Sequence, residues 1–214
     1  MLELGLKIFL SYLLGSVNGA LLIGRLRGVE IRQHGSGNAG GTNALRTQGK
    51  AFAVAVMAID ILKGVIPPLL FPLLEIPGVP LDSAVSREWL SYICGIAAIV
   101  GHCYPIWFNF EGGKGAATAL GVIAAASPML LAPAFITWVL VLKLFGFVGL
   151  ATIAAGLAMP LFVFIAIWPE QWPLFLFALV LGLFVLFTHR SNVLKFISRK
   201  SSVDVKPWID TGRS

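Results

Sequence analysis

Long apolar runs alternate with short polar breaks from residue 4 to about residue 188. The windows 4–24, 51–74, 88–107, 115–127, 129–145, 148–168 and 173–188 each read as a membrane helix, since ~20 apolar residues cross a hydrocarbon core about 30 Å thick. Window 115–127 is short: at 1.5 Å per residue it covers only ~20 Å. Ser127-Pro128 is the sole break before the next window, so a re-entrant or partly embedded segment is the alternative there. The first run lacks a small-x-small cleavage site and reads as a membrane helix rather than a leader. The pattern predicts an all-α fold, a polytopic transmembrane helix bundle with seven membrane helices. It forms one transmembrane domain over residues 1–200, with a tail over 201–214.

Composition excludes an ordinary soluble domain: 57% of the 214 residues are hydrophobic and 12% charged, against about 25% charged in soluble proteins. Basic residues set the orientation. With the connection after the first helix on the cytoplasmic side, that side collects Arg25, Arg27, Arg32, Arg46, Lys50, Lys114, Lys143, Arg190, Lys195, Arg199, Lys200, Lys206 and Arg213. Only Lys7 and Arg87 lie opposite, and Lys63 falls within a span. The positive-inside rule then places the N-terminus outside and the C-terminal tail in the cytoplasm. Cys94 and Cys103 share one apolar run and suit packing better than a disulfide or metal site.

Three polar segments fall on the cytoplasmic face of this topology. The first runs Gly35-Ser36-Gly37-Asn38-Ala39-Gly40-Gly41-Thr42-Asn43-Ala44-Leu45-Arg46. Its glycines permit crowded backbone, while its hydroxyls, amides and guanidinium suit phosphate oxygens. The second is Gly101-His102-Cys103-Tyr104-Pro105 followed by Gly112-Gly113-Lys114-Gly115-Ala116-Ala117-Thr118, a glycine turn and ammonium opening an apolar helix, favourable for an anion. It is not a nucleotide-binding P-loop, because Phe108 stands where the first glycine belongs and Gly115 where Ser or Thr would follow Lys. The third is His189-Arg190-Ser191-Asn192 at the inner end of the last helix, where a His-Arg pair alone reads as an interfacial anchor. Asp60 and Lys63, three apart inside the second window, can neutralise each other or reach into a polar interior, and a structural role, supporting the loop or locking two helices, stands beside a catalytic one. Gly15, Ser16, Asn18 and Gly19 read as close helix packing.

These motifs resemble the bacterial membrane acyl-phosphate:glycerol-3-phosphate acyltransferases over nearly the whole chain. The match rests on Gly35-Ser36-Gly37-Asn38-x-Gly40-x-Thr42-Asn43-x-x-Arg46, Gly101-His102-x-x-Pro105 with Gly112-Gly113-Lys114-Gly115-x-Ala117-Thr118, and His189-x-x-Asn192. The resemblance implies acyl transfer from acyl-phosphate to the 1-hydroxyl of sn-glycerol 3-phosphate, giving lysophosphatidic acid and phosphate in phospholipid biosynthesis. It also implies a site facing the cytoplasm in the bacterial inner membrane. Ser36, Arg46, Lys114, His189 and Asn192 are the catalytic residues it implies, holding glycerol 3-phosphate and its attacking hydroxyl. Gly37, Asn38, Gly40, Thr42, Asn43, His102, Gly112, Gly113, Gly115 and Thr118 are the substrate-binding residues. Glycerol 3-phosphate, acyl-phosphate and membrane lipid are the implied partners, with no cofactor, metal or nucleic acid.

Glu111 stands where a basic residue is common in that family, and Asn18 near a usual proline. The His-x-x-x-x-Asp signature of other glycerophosphate acyltransferases is absent: five positions after His34, His102 and His189 stand Ala39, Trp107 and Leu194. With no Ser-His-Asp arrangement either, a covalent acyl-enzyme is not expected, and alignment with charge stabilisation supplies the acceleration. The alternative from another class is a membrane transporter of a phosphorylated or anionic metabolite, whose sites are also built from broken helices. Polar motifs gathered at one face, and no evident inverted repeat, argue against it.

Overall fold

The computed structural model describes residues 1–201, and side chains through Ser198. All but Ser201 of the expected 201–214 tail lies outside the described residues, as do Lys206 and Arg213. Among the described residues every regular element is helical. The chain divides into two compact units, Met1–Leu131 and the part beginning at Ala132.

The first unit opens with a broken span. Helix α1 (Leu2–Gly15) and helix α2 (Gly19–Leu26) are bent by 47° at Ser16-Val17-Asn18, where the pattern had suggested one continuous helix over 4–24. Asn18 explains the restart: its Oδ1 accepts the Leu21 N–H at 3.1 Å and caps α2. Asp60 and Lys63 hold the break from the neighbouring helix. Asp60 Oδ1 accepts the Gly19 N–H and lies 3.0 Å from Lys63 Nζ, which donates to the Val17 carbonyl at 2.8 Å. The pair thus ties α4 to the break, the structural one of the two roles its spacing allowed.

Next come α3 (Gly41–Gln48), α4 (Lys50–Leu70), α5 (Arg87–Cys103) and α6 (Ala116–Ala126). Gly49, at φ +85°, separates α3 from α4 in a conformation that an L-residue would strain to adopt. Small residues let these helices touch: a Cβ on Gly15 would strike the Ala98 carbonyl, on Gly64 the Thr118 carbonyl, and on Gly121 the Ile61 carbonyl. Helix α6, with 11 residues, is shorter than a full span, and its Thr118, Ala119, Gly121, Val122 and Ile123 are buried within the unit.

At the opposite end of α1, Glu3 accepts from Lys7 Nζ at 2.6 Å, from both Arg87 terminal nitrogens and from the Asp82 N–H. Lys7 is wholly buried, so this network fastens the 74–87 connection onto α1.

The second unit comprises α7 (Leu131–Phe145, entered at Ala132), α8 (Val148–Ile167), α9 (Trp172–Thr188) and α10 (Arg190–Ser201). Helices α8 and α9 pack through Gly156 and Gly182, and Trp138 Nε1 donates to Thr152 Oγ1 at 3.3 Å. Phe164, Trp168 and Phe175 cluster at the α8–α9 turn. Helices α9 and α10 meet at 52°.

Among the described residues four helical stretches are long and apolar enough to cross a membrane, or six if each bent pair is one span. Every predicted window falls on a helix, and the fourth, 115–127, corresponds to the short α6.

Candidate active site

The first glycine-rich segment is anchored by its few apolar side chains. Ile31, Ala39 and Ala44 are fully buried in a cluster with Ala20, Leu21, Phe52, Ala53 and Val56, which presses the loop onto α2 and α4. Ser36, Gly37, Thr42 and Arg46 remain exposed, with Asn38 and Gly40 half-buried. Asn43 shapes the loop from beneath. Its Oδ1 accepts the Ser36 N–H at 2.8 Å, and its Nδ2 donates to the Ile31 and His34 carbonyls at 3.2 and 3.0 Å. With both amide protons engaged and 1% exposure, Asn43 holds the cradle in shape rather than presenting a free amide to a ligand.

The second segment folds back over the end of α5. Asn109 and Phe110 both adopt left-handed backbone, at φ 55° and 59°, a conformation costing non-glycine residues about 1–3 kcal/mol each. That reversal lets the Gly112 N–H donate to the Cys103 carbonyl at 3.1 Å and the Gly113 N–H to the His102 carbonyl at 3.2 Å. Both N–H groups are therefore spent on α5 rather than aimed at an anion, as a phosphate-cradling turn would have them. The glycines are required by closeness: a Cβ on Gly112 would strike the His102 carbonyl, and one on Gly113 both His102 Nε2 and the Ala39 carbonyl. The first-turn N–H groups of α6 have no intrahelical acceptor, as at any helix start, and such a terminus suits an anion. Gly115 caps that helix at φ +83°, Lys114 beside it is half-buried, and Thr118 in its first turn is buried with no partner for its hydroxyl.

The two segments touch. Gly113 sits against the Ala39 carbonyl, which also accepts from Asn18 Nδ2 at 3.3 Å. Arg32 makes a second bridge: Nε and Nη2 bind Glu30 at 2.8 Å, while Nη1 donates to the Glu111 carbonyl at 3.1 Å and lies 3.4 Å from its carboxylate. The Arg32 guanidinium holds the Glu30 carboxyl below its usual range. Glu111 thus has its charge answered by Arg32. Arg32 and Asn18 were not among the site residues expected from sequence. The Glu30-x-Arg32 pair just before the glycines was the available signal.

The third motif lies in the second unit. His189 caps α9 and is buried, its Nδ1 lying 3.0 Å from the Val185 carbonyl. A carbonyl only accepts, so the proton sits on Nδ1 and the basic nitrogen of the neutral ring is Nε2. Asn192 donates its N–H to the His189 carbonyl at 2.7 Å, and its side chain covers Gly149 of α8. Arg190 donates to the Phe187 carbonyl and stacks 4.3 Å over the Phe187 ring, the anchoring role expected of a basic residue at a span end.

The sequence model of the glycerol-3-phosphate acyltransferase family matches residues 6–199. The glycerol-3-phosphate acyltransferase of Aquifex aeolicus is 38% identical over 191 residues, covering 89% of this chain and 94% of that protein. Its counterpart in Synechococcus elongatus is 40% identical over 185 residues, 86% of each. Among solved structures, PlsY (YgiH), an integral membrane glycerol 3-phosphate acyltransferase, aligns in its glycerol 3-phosphate form with a TM-score of 0.77 at 35% identity. That alignment covers 91% of this chain and 92% of that one. The lysophosphatidic acid form aligns with a TM-score of 0.76 at 34% identity.

Proposed function

We propose, because this chain belongs to the glycerol-3-phosphate acyltransferase family, that it acylates the 1-hydroxyl of sn-glycerol 3-phosphate with acyl-phosphate as donor. The observation that carries this reading is the likeness to PlsY in both its glycerol 3-phosphate and lysophosphatidic acid forms. All three motifs fall within the residues matched by the family.

The hydroxyl oxygen attacks the acyl carbonyl carbon, and the bond from that carbon to the phosphate oxygen breaks. One ester and one inorganic phosphate result. The departing phosphate takes the bonding electron pair, and the hydroxyl proton passes to that phosphate or to His189 Nε2. Acyl-phosphate is already activated, so no acyl-enzyme is needed and the chain's task is alignment and charge stabilisation. Ser36, Arg46 and Lys114 hold glycerol 3-phosphate, and His189 and Asn192 keep the catalytic role that the family resemblance implies for them. The start of α6 with Thr118, together with Thr42, receives the acyl-phosphate. Asn43 shapes the loop beneath them.

The reading includes seven membrane helices, each bent pair counting as one span and α6 as another. It places the chain in the bacterial inner membrane, with the N-terminus outside, the C-terminus inside and the site facing the cytoplasm. The asymmetry of Lys and Arg supports that orientation. Purified protein in lipid, given palmitoyl-phosphate and glycerol 3-phosphate, is expected to release phosphate and lysophosphatidic acid in equal amounts. Absence of product with both substrates present would sink the reading.

A further inference from the structure

His102 lies between two parts of the first unit that the proposed chemistry leaves unconnected. Its backbone carbonyl accepts the Gly113 N–H, and its ring passes directly beneath Gly113, so closely that a Cβ there would strike Nε2. On its other side Gly113 meets the Ala39 carbonyl of the first glycine-rich loop. The ring's other nitrogen, Nδ1, points into the buried lock, 3.4 Å from Asp60 Oδ1. That oxygen already serves the Gly19 N–H and Lys63, which in turn holds the Val17 carbonyl at the bend between α1 and α2.

This arrangement is costly. Asp60 Oδ2 and His102 Nδ1 are both buried without a hydrogen-bond partner, and 2% of His102 is exposed. Such groups cost free energy that an apolar ring of similar size would avoid. A phenylalanine is bulkier than the imidazole and lacks both ring nitrogens. What the ring's outer end meets is the turn that leads into Lys114 and α6.

Building on the acyltransferase reading, we infer that His102 is a positioning residue. Backed by Asp60, its imidazole sets the height of the Gly112–Lys114 turn against the first loop and so fixes where Lys114 and the start of α6 meet phosphate. It does not touch the reacting atoms. Its loss therefore weakens substrate binding rather than the chemical step.

Three variants test this in purified protein, with kcat, KM for each substrate and Tm measured in parallel. His102→Phe removes both ring nitrogens and puts more bulk beneath Gly113, and is expected to raise KM for at least one of the two phosphate substrates about tenfold, with kcat little changed. His102→Gln extends a polar group to where Nε2 lies and restores most of the lost affinity. His102→Asn reaches only as far as Nδ1 and does not. A wild-type KM in His102→Phe, a fall in kcat alone, or rescue by Asn instead of Gln would each overturn the inference. Should His102→Phe fail to fold, Gly113→Ala pushes on the same contact from above. It predicts the same rise in KM, and a wild-type KM there contradicts the proposal. Turnover by the wild type separates the two levels: without it the acyltransferase reading falls and this inference with it, whereas normal turnover with unmoved KM values removes only His102 from its role.

Discussion

Asn43 spends its amide on three backbone groups of the first loop, so its removal collapses the cradle without deleting a charge. Asn43→Ala is expected to destabilise the fold by about 1–3 kcal/mol, the cost of buried groups left unpaired, and to raise KM for phosphate substrates. Thermal unfolding and steady-state kinetics on the same preparation check both. Arg46→Ala and Lys114→Ala make the complementary case: turnover is abolished while Tm stays near wild type, and a normal rate in either excludes that residue from the site. Arg32→Ala frees Glu111 beside the turn and weakens phosphate binding, more so at low ionic strength where the unanswered carboxylate is least screened. The Glu30–Arg32 pair has a pH signature. Because Arg32 lowers the Glu30 pKa in the folded chain, its contribution is complete above the ordinary carboxylate range and fades only as pH falls through the lowered value. Most of these residues stood out in the sequence as hydroxyls, amides and cations among glycines. What the sequence could not reveal is which polar groups are used internally. Asn43 and the N–H groups of Gly112 and Gly113 look like ligand donors in one dimension, yet each is consumed by a carbonyl or amide that only folding brings near.

Helices were legible at the scale of whole elements because apolar runs long enough to cross a bilayer leave few alternatives. The break at Ser16-Val17-Asn18 was less so: composition there stays apolar or small, and the bend depends on Asp60 and Lys63, more than 40 positions away. Helix α6 is similar, its shortness visible but its burial dependent on Gly64 and Gly121. Gly64→Val is accordingly expected to force α4 and α6 apart, lowering Tm sharply and with it activity, since α6 carries Thr118 and opens at Gly115. At the far end of α1, Glu3→Ala leaves Lys7 buried with no counter-charge, and a loss of about 3–5 kcal/mol is expected. Replacing Glu3 and Lys7 together by apolar residues should recover much of that loss, because the isolated charge, not the missing pair, is what destabilises. Unfolding of the single and double variants in detergent distinguishes these outcomes.

For the molecule as a whole, the chain is a helical membrane protein whose family is established by matches across nearly its full length. Its two glycine-rich segments in the first unit are joined through Gly113, Ala39 and Arg32, and the proposed reaction asks them to serve two phosphate-bearing substrates. The choice of donor is the claim on which the mechanism turns, since an already activated acyl-phosphate makes a catalytic nucleophile unnecessary. The most direct test compares donors: purified protein with glycerol 3-phosphate and either palmitoyl-phosphate or palmitoyl-CoA, with lysophosphatidic acid as the readout. Product from palmitoyl-phosphate and none from palmitoyl-CoA is the predicted result; equal rates with both would contradict it.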